Sequence, residues 1–488
     1  MKRRDFLNYA TTLTTGTLFS SAMLNSFFIS SAHGQEISID SLRRLLHPDE
    51  ALVIIPTDSQ FKTYQTAFNK RTQLTPQVRV LCSNPTAVAI CLQWAKDHQV
   101  PLALRCGGHS YEGFSQTAGL VIDTRFMKDV VIASSGDTVS VGGGANLGSI
   151  YSALAPLGLA LPAGSCPTVG VSGHVTGGGY GLLARPFGLA CDSLVEVELV
   201  TSTGEIVTAN SSENSDLFWA CRGGGGGSFG VITKMQFKTH RLKQVLVFSA
   251  GWKLKPEIAA IMMKTWQAWA PNSPAEITSL MKISKDIDGL IHVRCIGQSI
   301  GTTESLQQEL KNLSAIAIPD SLTVNPFSLL DAIHHFAGSD TAELSVFMKS
   351  KSDYIQQVIP DEGLATFLKN IPATVLAVIF DSYGGAIRNL SNSETAFAHR
   401  EGILSSLQYY SEWNNPATTP SRLIAIQTFY KTLRPYMSGA AYVNYCDLDL
   451  PNYAAAYWGS NLNQLQDVKA KWDPENRFRH AQSIPLKK

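Results

Sequence analysis

The 488-residue sequence carries almost no net charge, +1 with histidines neutral, and only 16% of it is charged. It has no global basic field to recruit nucleic acid, which is excluded as a partner. Eight cysteines in 488 residues is ordinary density and excludes a cysteine-stapled scaffold. The most apolar stretch, from about Tyr9 to Ile29, is interrupted by Thr, Ser, Gly and Asn, too polar for a stable membrane helix. The first strand-to-helix junction lacks Gly-x-Gly-x-x-Gly, which disfavours a nicotinamide Rossmann domain. No internal repeat and no metal-binding spacing is found. At roughly 150 residues per domain the length predicts about three domains or two large ones, with ample core.

What is there begins with an address. Arg3-Arg4 precedes the weakly apolar stretch, and the small residues Ser30-Ser31-Ala32-His33-Gly34 precede Gln35. This reads as a twin-arginine export signal over residues 1–34, against the alternative of a chance Arg pair in a disordered terminus. It predicts the twin-arginine machinery as a partner of the precursor and a periplasmic or secreted mature protein.

Helical spacing is predicted over 63–68 and 85–98, and strands at 78–81 and 102–104. Val121-Ile122-Asp123, Val130-Val131-Ile132 and Val139-Ser140-Val141 follow at short intervals and suggest a mixed sheet. A hairpin is predicted around Ser202-Thr203-Gly204, a helical turn at Ser215–Ala220, and a C-terminal helix from Tyr457 to Ala470. After Val231-Ile232-Thr233, strand-like segments (245–254, 276–284, 289–299) alternate with helices (257–270, 303–315), a second domain built on an antiparallel sheet with covering helices.

The 38 glycines cluster in the first half, as expected of backbone packed against a ligand. One loop, Arg105-Cys106-Gly107-Gly108-His109-Ser110-Tyr111, follows a strand. Its glycines let N–H groups approach an anion, and His109 can be aimed at whatever is anchored there, unless it is simply a surface residue of a turn. The second loop, from Leu161 through Cys166-Pro167-Thr168-Val169-Gly170 to Gly177-Gly178-Gly179-Tyr180, suits a flat, extended ligand. Cys166, before Pro167, falls outside regular helix. As a thiolate it is a nucleophile; as a structural residue it would be buried or disulfide-bonded. Cys82 and Cys91, nine apart, are a candidate disulfide in an oxidising compartment.

Together the loops resemble the berberine-bridge-enzyme-like flavoproteins of the vanillyl-alcohol-oxidase superfamily. The resemblance continues in Leu217-Phe218-Trp219, Phe229-Gly230-Val231, Tyr383-Gly384-Gly385, Tyr442-Val443-Asn444-Tyr445 and Gln482-Ser483-Ile484-Pro485, spanning about residues 65–485. It implies an α+β fold: a two-part FAD-binding domain (PCMH-type, 35–242), a substrate domain with a helix-covered antiparallel sheet (243–430), and a C-terminal segment returning to the FAD domain (431–488). It implies FAD bonded covalently to His109 (8α-methyl) and Cys166 (C6). Further expected cofactor contacts are Arg105, Gly107, Gly108, Ser110, Gly170, Gly173, Gly178, Gly179 and Tyr180, with His174 at the ribityl or pyrimidine side. Ser228, Phe229, Gly230 and Val231 match the adenine end, and Asn461 a position near the isoalloxazine. Cys106 and Cys446 depart from the family's usual Ser and Arg.

The implied reaction is oxidation of a hydroxyl on a small molecule, a sugar, oligosaccharide or similar, by hydride transfer to the flavin, with O2 as acceptor. Tyr445 matches the family's base, which requires a stabilised phenolate because an unperturbed tyrosine has a pKa near 10; the alternative is that it only stacks on substrate. Strand alternation over 404–410 puts Ser406, Gln408 and Tyr410 on one face. Gln408 is placed in the catalytic set, and Ser406 and Gln408 with Tyr111 and Tyr442 on the substrate side, although Tyr442 reads equally as core. Neutral residues at 406 and 408 disfavour a cationic substrate. Val169, three after Cys166, matches the oxygen gate or is a plain core residue. Rival readings are a dehydrogenase with a quinone or protein acceptor, an oxidative cyclase of a secondary metabolite, and a non-catalytic periplasmic binding protein.

Overall fold

The computed structural model describes residues 39–337 and 345–487, so the export signal predicted over 1–34 lies outside the described residues. The chain divides into two units, 1–42 and 43–488. The helix Ile39–Leu45 begins in the first; all elements below belong to the second.

The buried apolar run Val78–Cys82 forms a central strand. Its sheet has the order Ala51–Ile54, Val78–Cys82, Leu120–Asp123, Leu102–Arg105, with the first pair antiparallel and the other two parallel. A parallel connection needs a crossover, and the helix Pro85–Asp97 supplies it. Asn84 accepts a hydrogen bond from the Ala87 N–H at 2.9 Å, and Pro85 sits in the first turn where its missing N–H costs nothing.

A second sheet of five strands, in the order Val130–Ile132, Thr138–Gly142, Val231–Lys238, Leu194–Val200, Ile206–Asn210, is antiparallel throughout. The single mixed sheet expected through residues 121–141 is therefore two sheets. The chain leaves the first at a turn closed by the Met127 N–H on the Thr124 carbonyl, 2.8 Å. Glycine at 144 lets the second sheet's backbone abut that turn, where a Cβ would overlap the Thr124 carbonyl.

The third sheet has seven antiparallel strands, in the order Ser321–Ser328, Gln244–Leu254, Ile291–Ser299, Ile277–Lys285, Ala377–Ser382, Ser405–Trp413, Phe347–Ile355. Alternation splits its faces. Met281, Ile283, Val378, Phe380, Leu407 and Tyr409 form a core with the helices Pro256–Trp269, Thr303–Ser314, Asp361–Asn370 and Thr419–Leu433. Residues 280, 282, 379, 381, 406, 408 and 410 fall on the opposite face.

The predicted C-terminal helix is two helices, Tyr453–Trp458 and Leu462–Trp472, separated at Gly459 with φ 46°. Trp458, Leu465 and Ile484 share one core with Val175, Tyr180 and Phe229 of the glycine-rich half. Lys469, fully buried, donates to Asp473 (2.6 Å) and to the carbonyls of Ser228 (2.7 Å) and Phe478 (2.6 Å), fixing the Ser228 loop from below.

Candidate active site

Both glycine loops, the segment Gly224–Ile232 and the free face of the seven-stranded sheet enclose one cavity of about 620 Å³. The loops touch because both lack side chains. A Cβ on Gly107 would overlap the Gly170 backbone, and one on Gly108, at φ 73°, the Arg105 guanidinium. Gly173 and Gly226 instead face open space or ordinary contact distances, leaving backbone bare towards the cavity.

His109 and Cys166 both line the cavity and both reach one hydroxyl: His109 Nε2 lies 2.8 Å and Cys166 Sγ 3.7 Å from Thr168 Oγ1. Phe68 stacks on the His109 ring at 4.6 Å, and burial with the nearby Arg105 charge lowers its pKa to about 4, so the imidazole is neutral at pH 7. The Cys166 thiol is exposed and free. Cys82 and Cys91 are buried free thiols beside each other.

Arg105, Ser110, Gly170, Tyr180 and residues 228–231 also line the cavity, as do Val169, Tyr111, Gln408 and Tyr445. His174 lines the cavity as well, and its Nε2 accepts from the Gly164 N–H at 3.0 Å, which holds the second loop. Four of the assigned residues, Gly178, Gly179, Asn461 and Tyr442, do not line the cavity. Gly178 and Gly179 lie behind the wall, against Phe397, Ala190 and the His174 ring. Asn461 is away from the cavity, its amide donating to Asn392 O (2.6 Å) and Thr395 O (3.1 Å). Tyr442 is core, its hydroxyl accepting from the N–H groups of Gly179 (3.1 Å) and Tyr180 (3.2 Å). Asn444 lines the cavity, donating to the His174 carbonyl at 2.9 Å.

Tyr111 and Tyr445 stack 5.9 Å apart, and Gln408 Nε2 donates to the Tyr111 hydroxyl at 3.1 Å. The phenolate expected at Tyr445 is opposed. Burial drives its pKa well up, and the Asp381 charge and the phenols of Tyr111, Tyr442 and Tyr383 push the same way. Ser406 does not line the cavity; it donates to Asp381 Oδ2 at 3.0 Å, and Asp381 does. Sequence reading passed over Asp381, whose only signal is one carboxylate in the apolar strand Ala377–Ser382. The expectation that neutral residues at 406 and 408 disfavour a cationic substrate loses its ground, because Asp381 puts a carboxylate on the same face.

A largely buried ion cluster, with Asp449 half exposed, adjoins the tyrosine pair. Lys349 Nζ contacts Glu112 (2.5 Å), Asp447 (2.6 Å) and Asp449 (3.1 Å), and Lys351 contacts Asp447 (2.8 Å) and Asp449 (2.9 Å). Glu112 adjoins Tyr111 and Asp447 lies two after Tyr445, so one lysine ties the two loops that carry the facing rings.

Residues 76–210 match the family described as FAD binding domain, and residues 441–485 the family described as berberine and berberine like. The FAD-linked oxidoreductase YgaK of Bacillus subtilis (strain 168) is 33% identical over 444 residues, covering 89% of this chain and 96% of that protein. Among solved structures, BBE-like 1 of Physcomitrella patens superposes with a TM-score of 0.86 at 32% identity, covering 92% of this chain and 99% of that one. A variant of the grass-pollen protein Phl p 4, described as a glucose oxidase, superposes with a TM-score of 0.84 at 28% identity over 93% of this chain and 100% of that one.

Proposed function

The chain belongs to the berberine-bridge-like family of FAD-dependent oxidoreductases, and from that membership we propose that it oxidises a hydroxyl group of a small molecule on a flavin bonded to both His109 and Cys166. The observation that carries this is the pair of nucleophiles, from loops 57 positions apart, aimed at one cavity and reaching one threonine hydroxyl. The residues present fit FAD. Bare glycine backbone lines a long cavity, and the buried donors Ser115 Oγ and Trp458 Nε1 line it without a protein partner.

Bound FAD supplies a two-electron acceptor for hydride. The protein supplies placement. Neutral His109 is held through Nε2 on Thr168, which leaves Nδ1 for the bond. Residues 228–231, which line the cavity, would cradle the adenine end. Tyr111, Tyr445 and Gln408 form the wall where the donor lies. In this reading an FAD-binding part (35–242) and a C-terminal segment (431–488) would hold the cofactor, and a substrate part (243–430) would cover the donor, a sugar, oligosaccharide or similar alcohol.

Dioxygen is the acceptor in this reading, admitted past Val169, which lines the cavity. In Phl p 4 the variant that carries an added isoleucine-to-valine change is described as a glucose oxidase, and the one without it as a glucose dehydrogenase. The twin-arginine segment makes the protein exported, and two covalent bonds suit an enzyme that cannot recapture a lost cofactor. Among the described residues no helix is long and apolar enough to cross a membrane.

Acid denaturation tests the attachment. The wild type retains all its flavin, His109→Ala and Cys166→Ala each retain it through the remaining bond, and the double variant releases it. Free flavin from the wild type overturns the reading.

A further inference from the structure

The free face of the seven-stranded sheet continues past the cavity, and its charges are unevenly matched. Gln408, Ile379, Lys282 and Arg294 stand in one row across four strands. The first three line the cavity, and Arg294 follows on the next strand, just outside it. Resting on the reading of the protein as a flavin-linked alcohol oxidase, we propose that the donor is an anionic sugar whose acid group is held by Lys282 and Arg294.

Three observations carry this. Lys282 is exposed at the cavity mouth, and its ammonium makes no hydrogen bond or ion pair among the described residues. Arg294 is also exposed and donates only through Nε, to the Ser249 hydroxyl at 3.3 Å, which leaves its terminal nitrogens open. The two cations stand directly opposite each other on paired strands. Like charges in that position destabilise a sheet, and no carboxylate among the described residues pairs with either. The next row of the same face is different. There Lys253 and His292 are themselves paired in register, and Asp286 serves both, 3.0 Å from Lys253 Nζ and 3.1 Å from His292 Nε2. The face thus provides a partner for those two basic groups and leaves the pair at the cavity open.

The spacing suits a sugar. Neighbouring strands lie about 4.8 Å apart, so the Lys282 backbone is roughly 10 Å along the row from that of Gln408. Gln408 is the residue whose amide holds the Tyr111 hydroxyl at 3.1 Å. A ring lying against Tyr111 and Tyr445 therefore turns its far substituent towards the Lys282 ammonium. The guanidinium fork of Arg294 matches the paired oxygens of a carboxylate or phosphate, and the lysine adds a point charge.

Two carboxylates share the face without cancelling the cations. Asp381 lies one row inward, 3% exposed and bonded to the Ser406 hydroxyl at 3.0 Å. Burial raises its pKa to about 7, so it is partly neutral at pH 7. Glu412 lies beyond Tyr410 on the strand Ser405–Trp413 and accepts from the Tyr410 hydroxyl at 2.6 Å.

Anaerobic stopped-flow reduction of the holoenzyme at pH 7 by D-glucose, D-glucuronate and D-glucose 6-phosphate tests this, and the two acids separate a carboxylate from a phosphate. At least one acid should reduce the wild type with a second-order rate constant roughly tenfold or more above that of glucose, the size of one charge-assisted hydrogen bond. The preference should lie in Kd rather than in the limiting rate. It should shrink as salt rises from about 0.02 to 0.5 M, because exposed charges are screened. Lys282→Gln and Arg294→Gln should each remove most of the preference, Lys282→Glu should reverse it, and Lys282→Arg should keep it. Equilibrium dialysis of the two acids against the holoenzyme reads binding without turnover: the wild type should bind at least one, and Lys282→Glu neither. Faster reduction by glucose than by either acid, or a preference that survives both glutamine substitutions, overturns the proposal. If no sugar reduces the flavin-loaded wild type, the alcohol reading fails and the dialysis decides the anion site by itself. Binding lost in Lys282→Glu then supports the site, and no binding, or binding that this variant keeps, overturns it.

Discussion

Small differences in side-chain size decide chemistry when the wall they belong to is closely packed. Val169 sits between the Cys166 carbonyl, which accepts its N–H at 3.3 Å, and Leu147, whose N–H it accepts at 3.0 Å, so its backbone is fixed and its side chain has a set position on the cavity wall. Leucine there adds one methylene to the cavity wall, and packed interiors register such a change. Val169→Leu should therefore slow reoxidation of the reduced enzyme by air-saturated buffer at least tenfold, about 1.4 kcal/mol or more of barrier. Its rate of reduction by donor should stay near the wild-type value. Stopped-flow absorbance with peroxide measurement separates the two half-reactions. Unchanged reoxidation would place the oxygen path elsewhere, and a slow wild type that a quinone reoxidises quickly would make the enzyme a dehydrogenase.

Strands and loops meet the site through charge as well as packing. The strand Phe347–Ile355 ends the seven-stranded sheet, and its Lys349 and Lys351, almost wholly buried, point at Glu112, Asp447 and Asp449. The surrounding carboxylates raise the Lys349 pKa against the effect of burial, so the lysine stays charged across the working range. Removing one member of a buried ion cluster costs up to about 3–5 kcal/mol when its partners are left unpaired; here Lys351 still holds Asp447 and Asp449, and Arg71 still holds Glu112 at 2.7 Å, so the loss is smaller. Lys349→Met should lower the urea midpoint accordingly. It should also raise KM more than it lowers kcat, because the loops bearing Tyr111 and Tyr445 lose their common tether. Adding Glu112→Gln to Lys349→Met should recover part of the stability, a double-mutant cycle that separates charge from shape.

Across the whole molecule, burial sets the pH response. His174, His240, His399 and His480 all have pKa values lowered to about 4 by burial, against an ordinary value of 6.5. Each is neutral in the fold and takes up a proton on unfolding below 6.5, so each costs stability as pH falls from 6.5 towards 4. Asp353 and Asp381 act oppositely. Burial raises both to about 7, so each costs stability as pH rises from 3.8 towards 7. Four histidines outweigh two aspartates between pH 5 and 6.5, and each uncompensated proton is worth about 1.4 kcal/mol per pH unit. The melting temperature of the holoenzyme should fall between pH 6.5 and 5, measured by calorimetry at constant ionic strength. A melting temperature that rises over that interval would show that the aspartates dominate.

The sequence by itself determined whatever is local in the chain. The glycine loops with His109 and Cys166 were legible because a close backbone approach leaves a run of glycines, and the helix Pro85–Asp97 because Asn84 and Pro85 mark its start. The strands of the third sheet were legible from their alternation, and the family from motifs in order along the chain. Tertiary structure alone decided what depends on pairing. Asp381 meets Ser406 through strand register, 25 residues apart in sequence, and no periodicity within one strand reveals its neighbour. Tyr442 and Asn461 look like site residues in their motifs but turn inward, because the N–H groups of Gly179 and Tyr180 and the carbonyls at 392 and 395 claim their polar atoms first. The same holds for the split into two sheets after Asp123, which rests on Gly144 meeting the Thr124 carbonyl across a fold that the local sequence cannot see. A sequence records which groups a chain carries; which of them remain unsatisfied and face a cavity is fixed only once every backbone donor and acceptor has found its partner.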